Sequence, residues 1–195
     1  MIACRQHRVS FTSGRIMFYG SKSEKGWRQA NAPYIIAATL AVIMFMLVAP
    51  EVNEGDAMSP TIRDGDFLVV SKTSYSAKRG VPERGQIVIL EKKAAEGVSD
   101  DNLIARVAGL PGEHVEVRDN KVMIDGREYI TENGIKGGTG DINVKLTKDE
   151  VFLLCDNRDE SADSRNSKLG AVDMKDIKGN VLLRIWPLSG FGGID

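Results

Sequence analysis

Residues 32–49 read APYIIAATLAVIMFMLVA, eighteen residues without a charge. At a rise of about 1.5 Å per residue, a helix of that length reaches roughly 27 Å, close to the thickness of a bilayer's hydrocarbon core. No other stretch of the chain limits its fold so strongly. Pro33 suits a first helical turn and Pro50 suits a stop. Trp27 and Tyr34 stand near one end of the run, where amphipathic aromatic rings favour the headgroup layer. A cleaved leader would carry an apolar region of only about 7–15 residues and then a small-x-small site. Here the run is longer, starts late and is followed by Pro50 and Glu51. The sequence therefore predicts a retained transmembrane helix over residues 32–50.

Charge sets the expected orientation. The chain carries 26 basic and 27 acidic side chains, but they divide unevenly. Six of the basic ones (Arg5, Arg8, Arg15, Lys22, Lys25, Arg28) precede the apolar run, against one acid, Glu24. A basic flank stays on the cytoplasmic side. This predicts a cytoplasmic segment over 1–31, a single-pass anchor in the cell membrane, and an extracytoplasmic body over 51–195. The body is acidic, so no Lys/Arg stripe for nucleic acid is expected. The two cysteines, Cys4 and Cys155, fall on opposite sides of the membrane in this topology and cannot pair. The first 30 residues lack an apolar period and are expected to be irregular.

After residue 50 the helical period gives way to short apolar and β-branched runs: 67–70, 86–90, 103–110, 114–124, 151–155 and 180–186. Asp64-Gly65, Arg84-Gly85, Pro111-Gly112 and Asp125-Gly126 separate them with turn chemistry. HVEV and KVMI alternate apolar and polar around Arg118-Asp119-Asn120, the pattern of a hairpin. Residues 131–145, TENGIKGGTGDINVK, are Gly-rich and polar and are expected to form a loop. The body is thus expected to be mostly β, a barrel or sandwich.

Three segments carry the chemistry. The first is GDAMSPTIRDGDFLVV, in which Pro60 fixes an extended turn and Asp64-Gly65-Asp66 leads into a strand. The second is LIARVAGLPGE, and the third is CDNRDESADSR, Cys155 to Arg165. In the third, Asp156, Arg158, Asp159, Asp163 and Arg165 place opposite charges close enough for bidentate ion pairs. Asp and Asn are dense there, but a calcium loop is not expected. The sixth position counted from Asp159 is Ser164 rather than glycine, and no closing glutamate follows.

These three segments, in this order and after an apolar helix, resemble the signatures of bacterial signal peptidase I, peptidase family S26. The first family signature reads approximately Ser-Met-x-Pro-Thr-(Leu/Ile). The second has Lys-Arg ahead of Gly-Leu-Pro-Gly, and the third is Gly-Asp-Asn-Arg-Asp-x-Ser-x-Asp-Ser-Arg. The resemblance covers residues 33 to 186. It implies a signal-peptidase-type β domain tethered by one N-terminal transmembrane helix. It also implies cleavage of signal peptides from secreted preproteins at Ala-x-Ala-like sites, without a cofactor or a metal. In that reaction a serine hydroxyl attacks the scissile carbonyl and a neutral, desolvated lysine takes its proton.

This chain departs from the pattern at both reacting positions. Ala57 stands at the nucleophile position and Ala105 at the general-base position. A methyl group is neither nucleophile nor base. The resemblance assigns Met58, Arg106, Asp156, Ser161, Asp163 and Arg165 to the support of the site, with Ser161 close to the lysine position. It assigns Asn102, Leu103 and Ile104 to one wall of a peptide groove, opposite the stretch before Ala57. Ser59, His114 and Cys155 are the groups that would have to supply a replacement centre. Each has a plain alternative: a turn serine, a strand histidine, a small packed cysteine.

Three readings follow. One is an inactive homologue that binds signal peptides or secreted, pilin-like proteins at the membrane and assists assembly of surface structures such as pili. Another is an active signal peptidase I written here in double-alanine form. A third, a cytosolic self-cleaving repressor-type peptidase with a similar Ser-Met and Gly-Asp-strand pattern, is opposed by the apolar helix and by CDNRDESADSR.

Overall fold

The computed structural model describes residues 23–72, 75, 78, 80–91, 93–95, 102–131, 134–135, 140–159 and 162–194, with side chains of the first helix from Asn31 onward. Two units are distinguished, Met1–Ala41 and Val42–Asp195. A helix, α1, covers Ser23–Leu47. It begins well before the apolar run, so Ser23 to Ala30 depart from the irregular tail expected there; residues 1–22 lie outside the described residues. Among the described residues no helix is long and apolar enough to cross a membrane. The large apolar side chains of α1, including Ile35, Ile36, Leu40, Ile43, Phe45 and Leu47, are nevertheless exposed. Thr39 returns its hydroxyl to the Ile35 carbonyl, which satisfies it within the helix.

Strand β1 (Val48–Val52) follows α1 directly, so the helix ends before Pro50 and not at it. Pro50 lies in a strand at the edge of its sheet, where a missing N–H costs no ladder bond. The other strands are β2 (Phe67–Ser71), β3 (Ile87–Leu90), β4 (Leu103–Gly109), β5 (His114–Arg118), β6 (Lys121–Ile124), β7 (Arg127–Glu128), β8 (Ile142–Lys145), β9 (Glu150–Leu154), β10 (Val172–Asp173) and β11 (Ile177–Trp186). Seven form an antiparallel sheet in the order β1-β2-β11-β3-β4-β9-β10. Four form a second sheet, β7-β6-β5-β8. The body is mostly β, as its short β-branched runs predict.

The larger sheet buries side chains on both faces, which explains why β3 and β4 read as continuous apolar runs. In β3, Val88 and Leu90 join one core cluster while Ile87 and Ile89 join another. In β4, Leu103, Ala105 and Val107 belong with the former and Ile104 with the latter. The sheet is also curled. Glu51 on β1 touches Asn102, just before β4, although β2, β11 and β3 lie between those strands in the ladder.

The smaller sheet contains the expected hairpin. Arg118 pairs with Lys121, and Asp119 and Asn120 both take positive φ, the backbone that a two-residue turn of this hand requires. Asp125-Gly126 repeats the device between β6 and β7. The loop expected over 131–145 is corrected at its end: Ile142–Lys145 is β8, paired with β5. Ile142 and Val144 pack on the core of this sheet, a period-2 signal that the preceding glycines obscured.

One glycine is fixed by contact. A Cβ on Gly179, in β11, would stand 1.9 Å from the Ser71 carbonyl oxygen of β2. Backbone cannot yield there as a side-chain tip can. Gly179→Ala is expected to cost about 2–3 kcal/mol, measured by urea unfolding of the detergent-solubilised chain. An unchanged midpoint would show that the two strands separate readily.

Candidate functional site

The turn after β1 brings the first motif to the sheet. Ala57 packs against the cluster that contains Leu103, Ala105, Cys155 and Met174. Its neighbour Met58 is fully buried in the opposite cluster, with Ile62, Leu68, Ile87 and Ile104. The turn therefore straddles the sheet, anchored by Met58 on one side and presenting Ala57 on the other. Ala105 is fully buried on β4, paired with Val88. The two alanines thus lie in one apolar cluster, and their own side chains offer it methyl groups.

Polar contacts around this cluster join all three motifs. Asp156 accepts two bonds from Arg106, Nε at 2.9 Å and Nη2 at 2.8 Å. It accepts a third from the Thr61 hydroxyl at 2.6 Å. Both members of the ion pair are almost wholly buried. Arg106 also donates to the Gly85 carbonyl at 2.7 Å. Asn157 ties the same segments by backbone: its N–H reaches the Ala57 carbonyl at 3.0 Å, and its side-chain amide reaches the Asp56 carbonyl.

A second buried pair shapes the turn after Asp156. Arg165 binds Asp163 through Nε and Nη2, and its Nη1 donates to the Arg158 carbonyl at 2.7 Å. Asp163 also accepts from the Cys155 N–H at 2.9 Å, which ties this pair to the end of β9. Ser164 exchanges two bonds with Leu153, one through its hydroxyl. Both buried aspartates thus spend their oxygens on guanidinium and other donors.

The charged residues of the third motif do not form a single chain of ion pairs among the described residues. Among the described residues, Asp156 pairs with Arg106 and Asp163 with Arg165. Among the described residues the Arg158 side-chain nitrogens are buried without a hydrogen-bond partner. Burial, and after it the like charge of Arg165, lowers the affinity of Arg158 for its proton. Asp159 is exposed, and its N–H meets the Asn157 side chain. Ser161 lies outside the described residues.

The three groups weighed as replacement chemistry are placed differently. His114 is on β5 of the smaller sheet, its Nε2 2.8 Å from the Asn143 side-chain oxygen. Ser59 sits in the turn with its N–H on the Asp56 carbonyl. Cys155 is fully buried beside Ala105, its Sγ 3.5 Å from the Ala162 carbonyl oxygen. Burial pushes the Cys155 thiol strongly up, and the nearby Asp163 charge adds to that. A thiolate is the reactive form, and both burial and the raised proton affinity disfavour it here.

The residues expected to wall a peptide groove lie at the start of β4. β9 pairs with β4 only from Arg106 onward, so Leu103, Ile104 and Ala105 have no β9 partner on that side. A cavity of about 110 Å³ lies beside them, lined by Glu51, Val52, Glu54, Asn102 and Ile104. Sequence reasoning missed Glu51, Thr61 and Asn157 as parts of the site. Their side chains are ordinary for turns and edges; the curl of the sheet brings Glu51 to Asn102, and the turn after β1 brings Thr61 to Asp156 and Asp56 to Asn157.

The model of the signal peptidase family, peptidase S26, matches residues 27–186. A Bacillus subtilis subsp. natto protein, signal peptidase I P, is 37% identical over 170 residues, 78% of this chain and 87% of that one. Signal peptidase IB of Staphylococcus aureus strain COL is 31% identical over 182 residues, 81% of this chain and 91% of that one. A crystal structure of a signal peptidase I from Enterococcus faecalis V583 is 25% identical and covers 51% of this chain and 95% of that one, with a TM-score of only 0.39. The chain belongs to the signal peptidase family, S26.

Two expectations follow from the geometry. Asp156→Asn removes one partner of a buried ion pair and is expected to cost about 3–5 kcal/mol, whereas Thr61→Val is expected to cost about 1 kcal/mol; urea unfolding measures both. Equal, small losses would show that the carboxylate does not hold the motifs together. Iodoacetamide is expected to modify Cys155 only in denaturant, followed by mass spectrometry of the tryptic peptides. Modification of the folded chain at neutral pH would contradict the burial and protonation of the thiol.

Proposed function

We propose that this chain is a membrane-anchored, catalytically inactive member of the S26 family. It holds an extended signal-peptide-like segment of a secreted or pilin-like client and does not cut it. The observation that carries the reading is the pair of alanines, Ala57 and Ala105, packed in one apolar cluster inside a frame whose two buried Asp–Arg pairs are whole. Acyl transfer needs a nucleophile and a base within hydrogen-bond reach, and two methyl groups supply neither. In a serine hydrolase, removal of such side chains costs about 10⁶-fold in turnover. The backbone N–H of position 57 survives the substitution and can still donate to a peptide carbonyl. The unpartnered stretch of β4 suits strand addition by an extended peptide, with alternate side chains entering pockets.

Membrane attachment rests on the uncharged run and its basic flank, and on the exposed apolar side chains of α1. The body adds to it. Val52, Phe67 and Trp186 are exposed and are cross-strand neighbours at one end of the sheet. A Trp-bearing apolar row suits the headgroup layer.

The intact frame equally suits a second reading, in which the chain is an active signal peptidase I carrying alanine by design at both reacting positions. The codons for residues 57 and 105 in the source genome decide between them. Function is tested with the full chain in detergent and a preprotein bearing an Ala-x-Ala site. The unaltered chain is expected to leave it uncut. Ala57→Ser combined with Ala105→Lys is expected to cleave it. Cleavage by the unaltered chain that is lost on His114→Ala or Cys155→Ser would overturn the inactive reading. A folded but silent double variant would show that the frame no longer fits the reaction.

A further inference from the structure

Two residues that line the cavity beside β4 are joined by a side-chain hydrogen bond. Glu51 projects from β1 and accepts a hydrogen bond from the Asn102 side-chain amide at 2.7 Å. The same carboxylate meets Lys178 Nζ at 3.3 Å. Both Glu51 and Asn102 line the cavity, together with Val52, Glu54 and Ile104. β1 and β4 are not neighbours in the sheet. The Glu51–Asn102 bond thus joins two strands that the ladder keeps apart. Glu51 and Asn102 are half-buried, so the bond is neither fully screened by water nor locked in a core.

We infer that the Glu51–Asn102 hydrogen bond is a latch across the peptide groove, which an entering client segment must break and replace. This rests on the groove reading given above. An extended strand laid along Leu103–Ala105 needs the space that the bridge crosses. Breaking the bridge has a cost, because a half-buried carboxylate that loses a donor must find another. Lys178 retains part of the charge on its side, so the released partner is chiefly Asn102. The latch therefore lowers the affinity of the groove for every client. It lowers it least for segments that bring a hydroxyl, amide or ammonium donor of their own to Glu51.

The test measures the affinity of the full chain, in detergent micelles, for an acetylated and amidated Ala-x-Ala peptide without charged side chains, by fluorescence anisotropy. Asn102→Ala removes the latch and is expected to bind about five-fold more tightly than the unaltered chain. Asn102→Asp keeps the side-chain volume but sets a carboxylate against Glu51, and is expected to shift affinity in the same direction. It stands as the control should the alanine variant fold poorly. Placing a threonine in the peptide at the residue over Glu51, found by scanning, is expected to improve binding to the unaltered chain and to Asn102→Ala alike, because Glu51 has lost the Asn102 donor in both complexes. Binding by the unaltered chain with equal or weaker binding by both variants would overturn the latch and leave the groove reading standing. No binding by any of the three chains would overturn the groove reading and the latch with it.

Discussion

The Asp156 carboxylate is the contact on which the site depends. It is buried and receives Arg106 from β4 and Thr61 from the turn after β1. Three segments distant in sequence thereby share one anion. A buried carboxylate with one donor would be a liability, since desolvating the charge costs several kcal/mol. Three donors make the same group a fastener. Because Asn157 follows it immediately, the bonds from Asn157 to Ala57 and Asp56 are set by the same anchor.

This arrangement separates the frame from the reacting positions. The frame is held by Asp156–Arg106, by Asp163–Arg165 and by backbone bonds. Ala57 and Ala105 contribute only methyl groups to an apolar cluster. A lysine at position 105 would have to be desolvated there, at a cost in stability. Alanine at that position removes the cost and leaves the frame untouched. The frame can therefore stand whether or not the chemistry is present, which is all that the proposed binding role asks of it.

Much of this was legible in the sequence because the informative patterns are local. The hairpin at Asp119-Asn120 follows from alternation and turn chemistry over a dozen residues. The charge-rich run from Asp156 to Arg165 announces buried ion pairs by composition. The pairing itself was not legible. Nothing local says that Asp156 goes to Arg106 while Arg158 finds no hydrogen-bond partner among the described residues. β8 was hidden because four residues of alternation beside a Gly-rich stretch are too few to outweigh it. The contact of Glu51 with Asn102 was invisible because it depends on the curl of a seven-stranded sheet. The end of α1 was misjudged for a simpler reason: Val48 and Ala49 are as apolar as the helix before them, and β1 takes them up as an edge strand.

The central claim is that a kept peptidase frame surrounds a centre with no nucleophile. Intact-mass spectrometry of the full chain in detergent, after incubation with a fluorophosphonate that labels activated serine, tests it most directly. The account expects an unchanged mass for the chain as it stands, and an adduct confined to position 57 in Ala57→Ser combined with Ala105→Lys. An adduct on any residue of the unaltered body would contradict it.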